Sequence, residues 1–206
     1  MSNVYIVNMK PNVAGMRANP VKRNYHHGGL GKASIDEGLR LLEVGDLEKL
    51  SLREIARNVG VSATALYRHF PDKGALLRAL AIEGVERLGQ AQVTATQRAG
   101  GGAGGFNASG RAYVRFALAN PALFRLMMSC GPQEGSSAMQ FLLENVDKLA
   151  PPGAAALERK AYALRSWSMV HGLATLMLDG MLPTDDALID AVIDDDPWST
   201  QTPATH

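Results

Sequence analysis

Residues 51–70, SLREIARNVGVSATALYRHF, decide the fold of this chain. Ser51 is placed to cap a helix while the side chain of Glu54 reaches back to its amide, which is the capping-box arrangement. The apolar residues of this helix follow the spacing i, i+3, i+4 and i+7 and form one stripe: Leu52, Ile55, Ala56 and Val59. Gly60 is suited to the positive φ of a helix C-terminus, and Ser62 can cap a second, short helix. Two short helices joined by a tight turn that contains glycine predict a helix-turn-helix.

The second of these helices carries two different faces. Leu66 and Phe70 lie four residues apart and share one face, which we expect to be buried. The other side begins with small residues, which allow close approach of the backbone. It continues with hydrogen-bond donors that suit phosphate oxygens and base edges: Thr64, Tyr67, Arg68 and, after the helix, Lys73. A merely solvated surface helix is the alternative interpretation. We interpret this face as one that enters the major groove of double-stranded DNA, with the first helix across the backbone.

The composition is that of a globular protein with an uneven charge distribution. The 206 residues are 46% hydrophobic and 20% charged, which is enough for one large domain or two small ones. Residues 1–90 hold 13 Lys and Arg against 9 Asp and Glu, a balance of +4, whereas residues 91–206 hold 8 against 11, a balance of −3. A basic N-terminal part is expected where one end of a protein meets a polyanion.

The sequence carries no pattern for export, membrane insertion or metal binding. MSNVYIVNMK (1–10) lacks a basic region before its few apolar residues, and His171 and Asp179 interrupt the most apolar run. Cys130 is the single cysteine, which excludes an internal disulfide and a multi-cysteine zinc site. His26-His27 has no Cys, Asp or Glu cluster nearby to complete a metal site. We therefore expect a cytoplasmic protein with no membrane contact, no metal and no cofactor.

The rest of the chain has helical periodicity. Apolar residues at helical spacing predict a helix over 30–44, which Gly45 ends, and Pro71-Asp72 begins a further helix that runs to about residue 98. The stretch AGGGAGG (99–105) predicts a flexible linker near a domain boundary. Five more helices are predicted beyond it, over 107–119, 121–129, 134–149, 155–181 and 184–193. No strand pattern is convincing, so the predicted fold class is all-α with about nine helices.

The segment from His27 to about Leu88, with LSLREIARNVGVSATALYRHFPDKGALLRAL (50–80) at its centre, resembles the DNA-binding domain of the TetR/AcrR transcriptional regulators. In that family the recognition helix usually ends in Tyr-x-His-Phe, followed two or three residues later by a Lys. The residues that match this motif here are Tyr67, His69, Phe70 and Lys73.

The resemblance implies which residues contact DNA. Phosphates would be held by Tyr67, His69 and Lys73, helped by Thr64 and by the N-terminus of the fourth helix. Base edges would lie near Ser62, Ala63, Thr64 and Arg68. Arg53, early in the preceding helix, matches a position that reaches a base or a phosphate. Leu66 and Phe70 would stay in the core.

The C-terminal part resembles a ligand-binding subset of the same family. The similar segments are YVRFALANPALFRLM (113–127) and SWSMVHGLATLMLDG (166–180), the second of which contains a Trp-x-x-x-His-Gly signature. The resemblance implies a homodimer in which the last two helices of each chain form a four-helix bundle across a two-fold axis. We accordingly divide the chain into a flexible basic arm (1–25), a helix-turn-helix domain (26–75) and a helical effector-binding and dimerisation domain (76–206).

Aromatic residues and methionines of the C-terminal part are candidates for an effector pocket between helices. They are Tyr113, Phe116, Phe124, Met127, Met128, Phe141, Trp167 and His171. The alternative is that most of them are core residues, and His171 is either a satisfied core or interface histidine or a ligand contact. Few charges fall at inward positions, so the predicted effector is apolar or weakly polar.

These observations predict a homodimeric, sequence-specific transcriptional regulator, most simply a repressor that a small molecule releases from a palindromic operator. No Ser or Cys is spaced to form a catalytic triad with His171, so no catalytic residue and no enzymatic activity are predicted. The alternative is an all-α enzyme or small-molecule-binding protein that merely contains an architectural helix-turn-helix.

Overall fold

The chain is helical throughout the residues that the computed structural model describes, which are 27–45, 47–130 and 137–194. Nine α-helices lie in these ranges: α1 (His27–Val44), α2 (Leu52–Val59), α3 (Ala63–Tyr67), α4 (Lys73–Arg98), α5 (Gly102–Ala119), α6 (Pro121–Ser129), α7 (Ser137–Leu149), α8 (Ala156–Leu178) and α9 (Asp186–Ile193). A short 3-10 helix, Leu47–Lys49, lies between α1 and α2. The all-α prediction is confirmed, and no described helix is long and apolar enough to cross a membrane. The predicted basic arm (1–25) lies outside the described residues.

Local hydrogen bonds begin and end α2 and α3 where the sequence predicts. The Ser51 hydroxyl accepts a hydrogen bond from the Glu54 amide at 3.1 Å, but the Glu54 carboxylate lies 3.7 Å from Arg57 instead of reaching back, so the capping box is half formed. Gly60 follows α2 with a φ of 80°. The Ser62 hydroxyl caps α3 by accepting a hydrogen bond from the Ala65 amide at 3.2 Å. Contacts between neighbours in sequence therefore set where α2 and α3 begin and where α2 ends.

The recognition helix α3 is short, because the chain turns immediately after Tyr67. The amides of His69 and Phe70 both donate to the Leu66 carbonyl, at 2.9 and 3.0 Å. Pro71 follows and disfavours helical backbone in the residue before it. The turn returns Phe70 to the core beside Leu66, and both residues are buried as predicted.

The glycine-rich stretch 99–105 is not a flexible linker, so that prediction is wrong. Gly100 and Gly101 form a tight turn with φ of 79° and 75°, and α5 begins at Gly102. A Cβ on Gly105 would lie 3.1 Å from the Thr96 carbonyl oxygen, and the Thr96 hydroxyl donates to the Gly105 carbonyl at 3.1 Å. The glycines thus allow α4 and α5 to meet closely and run back along each other.

One hydrophobic cluster extends from the helix-turn-helix into the C-terminal helices. It contains Leu66 and Phe70 from the N-terminal part together with Val114, Met177 and Ile189. The two predicted helical domains, 26–75 and 76–206, therefore share a core, and the boundary between them stays a prediction.

The long helix α8 buries the face that its spacing predicts. Ala163, Val170, Ala174 and Met177 are buried, and Trp167 is half-buried. The helix ends at Leu178, three residues earlier than predicted, because a left-handed Gly180 (φ 71°) turns the chain.

The last helix, α9, is attached to α5 by ion pairs. Arg115 contacts Asp186 at 2.8 Å and Asp190 at 3.4 Å, and Arg111 contacts Asp190 and Asp194. Together with Ile189 and Ile193 in the core, these pairs determine where α9 lies.

Candidate functional site

The outer face of the helix-turn-helix presents the predicted DNA contacts to solvent. Six of them have exposed side chains: Arg53, Ser62, Thr64, Tyr67, Arg68 and His69. Ala63 is half-buried, and its methyl group lets the backbone of α3 approach a partner closely. Within the described parts of the chain, Arg53 and Arg68 have no ion-pair partner. Their charges are therefore free to meet an anion.

Lys73 differs from the other predicted contacts because it already has a protein partner. Its ammonium donates a hydrogen bond to the Glu48 carbonyl at 2.9 Å, and the side chain is half-buried. This bond ties the start of α4 to the 3-10 helix. Two of the three ammonium protons remain for a phosphate.

A cavity of about 480 Å³ lies among the C-terminal helices. Five of the eight predicted pocket residues line it: Tyr113, Met127, Met128, Trp167 and His171. Phe124 is buried directly behind them, with its ring 5.7 Å from those of both Tyr113 and His171. Phe116 is half-buried against the core and Phe141 is half-buried, and neither lines the cavity.

Much of the cavity wall is formed by residues that were not predicted from the sequence. The additional lining residues are Val85, Leu88, Gln92, Phe106, Asn107, Ser109, Gly110, Met139, Leu142, Ser166, Ser168, Met169, Val170 and Ile193. Val85, Leu88 and Gln92 follow the helical spacing i, i+3 and i+7 on α4, so they share one face. That spacing is the signal in the sequence that could have found them.

His171 has a hydrogen-bond partner and also lines the cavity. Its Nδ1 is 3.0 Å from the Tyr113 hydroxyl, and its ring is 6.2 Å from that of Trp167. Burial raises the pKa of Tyr113 to about 12, against a smaller lowering by a hydrogen bond with Trp167. The phenol is therefore neutral at physiological pH. Both interpretations of His171, a satisfied histidine and a ligand contact, are compatible with this position.

Gln92 is a polar residue of the cavity wall with a buried, unpartnered oxygen. Its side chain is 8% exposed, and its Oε1 atom is buried without a hydrogen-bond donor among the described residues. Within the described ranges, the cavity lining contains no Asp, Glu, Lys or Arg. Among the described residues there is also no group of three or more His, Cys, Asp or Glu side chains that could hold a metal. The cavity is suited to a neutral molecule.

Two family models match the chain. Residues 35–80 match the family described as bacterial regulatory proteins, tetR family, and residues 106–195 match the tetracyclin repressor-like C-terminal domain. The matches fall on the helix-turn-helix and on the helices that enclose the cavity.

Solved structures are similar over most of the chain. A protein of unknown function from Rhodococcus sp. RHA1 is 32% identical, with a TM-score of 0.69 over 84% of this chain and 96% of that one. A candidate regulatory protein, SCO4313, is 20% identical, with a TM-score of 0.62 over 84% and 97% of the two chains. A TetR transcriptional regulator from Rhodococcus sp. RHA1 is 21% identical, with a TM-score of 0.50 over 80% and 91%. The last two show the shared fold. Taken with the two family matches and the exposed helix-turn-helix face, these similarities establish that the chain belongs to the TetR family of DNA-binding transcription regulators.

Proposed function

We propose that this protein is a homodimeric repressor that binds a palindromic operator and leaves it when a small neutral molecule occupies the cavity. The observation that carries the proposal is the course of α4. This helix begins at Lys73 beside the DNA-facing surface, and its second half lines the cavity with Val85, Leu88 and Gln92. A ligand in the cavity therefore contacts the same helix that follows α3 in the chain and begins at Lys73, one of the proposed DNA contacts.

The proposed DNA contacts are the eight residues of the helix-turn-helix surface described above. Arg53 and Arg68 supply free positive charge, and Ser62, Thr64, Tyr67 and His69 supply exposed polar groups. Contacts with phosphates provide much of the affinity and make it depend on salt, whereas contacts with base edges provide the sequence preference. The proposal places the protein in the cytoplasm, with its DNA.

Dimerisation is supported by the outer side of α8. Large apolar side chains on this helix are exposed and do not line the cavity: Leu157, Leu164 and Leu176. Apolar side chains grouped on one helix are typical of an interaction surface. A two-fold dimer would place its two α3 helices in successive major grooves, about 34–36 Å apart.

The proposed release mechanism is a change in the relative stability of two dimer arrangements. The ligand can shift this equilibrium only by its difference in affinity for the two arrangements. A ligand that favours the arrangement with misplaced α3 helices weakens operator binding by the same factor by which DNA weakens ligand binding. No catalytic step is part of this proposal.

The proposal is tested by selecting binding sites from a random duplex pool and measuring affinity for the selected duplex at several salt concentrations. We expect a palindrome and a steep salt dependence. Arg68→Ala should weaken binding of this duplex by roughly tenfold or more, because a good base contact contributes about 1–3 kcal/mol.

Arg98→Ala is the matched control, since Arg98 is an exposed arginine at the far end of α4. It changes the net charge equally and should leave affinity almost unchanged. Equal effects of the two substitutions would show that the protein binds DNA only through general charge attraction, which contradicts the proposed surface.

A further inference from the structure

Gln92 lies on the cavity side of α4, one turn beyond Leu88. The residue is 8% exposed and its Oε1 is buried, with no donor among the described residues. A buried acceptor without a partner is rare in folded proteins, because the group has lost its hydrogen bonds to water and has formed none within the protein. Such an atom at the wall of a cavity is the expected sign of a missing ligand.

The other polar groups of the cavity wall are largely occupied. The Ser109 hydroxyl donates to the Phe106 carbonyl at 2.7 Å, and the Ser166 hydroxyl donates to the Tyr162 carbonyl at 3.0 Å. The Tyr113 hydroxyl and His171 are hydrogen-bonded to each other. Gln92 Oε1 is thus the buried side-chain acceptor that remains unpaired in this part of the described structure.

We propose that the effector is a neutral, mainly apolar molecule with one O–H or N–H group, and that this group donates a hydrogen bond to Gln92 Oε1. The inference rests on the proposed function, because it takes the cavity as the effector site. Neutrality is inferred from the described part of the lining, which has no Asp, Glu, Lys or Arg. The apolar body is accommodated by side chains such as Leu88, Leu142 and Trp167. The hydrogen bond attaches the ligand to α4, the helix that begins beside the DNA-facing surface.

The first test needs no ligand. Gln92→Met replaces the amide by an apolar group of similar length, and Gln97→Met makes the same change at an exposed position of the same helix. Because Oε1 has no partner to lose, we expect Gln92→Met to melt at the wild-type temperature or above it. A melting temperature several degrees below those of wild type and Gln97→Met would mean that Gln92 bonds other protein groups, and it would overturn the inference.

The second test uses two probes that differ in hydrogen-bond donation, 4-phenylphenol and 4-methoxybiphenyl, titrated calorimetrically into the full chain. Wild type should bind the phenol about tenfold more tightly than the ether, since one hydrogen bond to a buried acceptor contributes about that factor. Gln92→Met should lower the affinity for the phenol about tenfold and leave that for the ether unchanged. Gln97→Met should behave as wild type.

The outcomes separate this inference from the proposed function. Equal binding of both probes to wild type, or preference for the ether, would overturn the role of Gln92 Oε1. If Asn107→Trp, which adds bulk to a half-buried wall position, blocks that binding, the cavity remains the ligand site. If neither probe binds wild type up to its solubility limit, the inference and the effector part of the proposed function both fail, while operator binding is judged separately by Arg68→Ala.

Discussion

Tyr113 shows how burial and hydrogen bonding act on a single side chain in this protein. The residue is 4% exposed, between the edge of Phe124 and the ring of His171. Desolvation raises the pKa of its phenol, and the hydrogen bond with Trp167 lowers it by less, so the result is about 12. The neutral hydroxyl keeps its bond to His171, and the aromatic side of the cavity is held in place.

We predict that one tyrosine of this protein ionises about two pH units later than an ordinary one. The unfolded phenol has a pKa of about 10, whereas the pKa of folded Tyr113 is about 12. Between these values the native state binds more protons than the unfolded state, so Tyr113 lowers stability as pH rises through this window. Absorbance of tyrosinate against pH measures the effect. Tyr113→Phe should remove the late component and Tyr67→Phe should not. A late component that persists in Tyr113→Phe would contradict the assignment.

The junction of α4 and α5 shows how glycines at the start of one helix allow it to pack closely against the end of another. Glycine favours flexibility when it is considered alone, but here it permits close contact. At Gly105 the α5 backbone lies against Thr96, where a Cβ would be 3.0 Å from the threonine methyl carbon. At Gly104, the preceding residue of the same helix, a Cβ would meet nothing within 4 Å.

We predict opposite effects for alanine at these two adjacent positions. Gly104→Ala should stabilise the protein by up to about 1 kcal/mol, because alanine favours helix more than glycine does. Gly105→Ala should destabilise it by about 1 kcal/mol, because overpacking typically costs roughly 1–3 kcal/mol and exceeds the helix gain. Chemical denaturation of both variants measures the free energy of unfolding. Equal stabilisation by the two substitutions would contradict this prediction, because it would show that α4 and α5 can move apart at Gly105 without loss of folding free energy.

At the scale of the whole molecule, α8 has two sides with different roles. Its inner side contributes Trp167, Val170 and His171 to the cavity wall. Its outer side exposes Leu157 (77%) and Leu164 (46%). A helix that is apolar on both sides is expected to be covered on both, and the proposed dimer provides the second cover.

We predict that Leu164→Glu weakens the dimer, since it places a charge in the proposed interface. The dimer dissociation constant, measured by sedimentation, should rise by roughly tenfold or more, and affinity for the selected operator should fall with it. Ile82→Glu on α4 is the matched control, because Ile82 is similarly exposed (48%) and does not lie on α8. A Leu164→Glu protein that remains as dimeric as this control would place the interface elsewhere.

The sequence by itself determined the local features of this protein. The caps at Ser51 and Ser62 and the turn at Gly60 depend on contacts between residues a few positions apart, and the spacing of Leu66 and Phe70 puts both on one helical face. Such contacts follow directly from side-chain chemistry and helical spacing, so the helix-turn-helix and the all-α class could be predicted.

Only the tertiary structure decided where the helices meet and what lies between them. The stretch 99–105 was predicted to be a flexible linker, but it forms a turn and the start of α5. The contact of Gly105 with Thr96 arises only when α5 folds back along α4, so it could not be predicted from the sequence. Phe116, Phe124 and Phe141 are as aromatic as Trp167, yet they lie outside the cavity wall, while Gln92 lies in it. The helical period establishes which residues share a face, but the packing of α4, α5, α7 and α8 selects the face that borders a cavity, because that choice depends on the shapes of several helices at once.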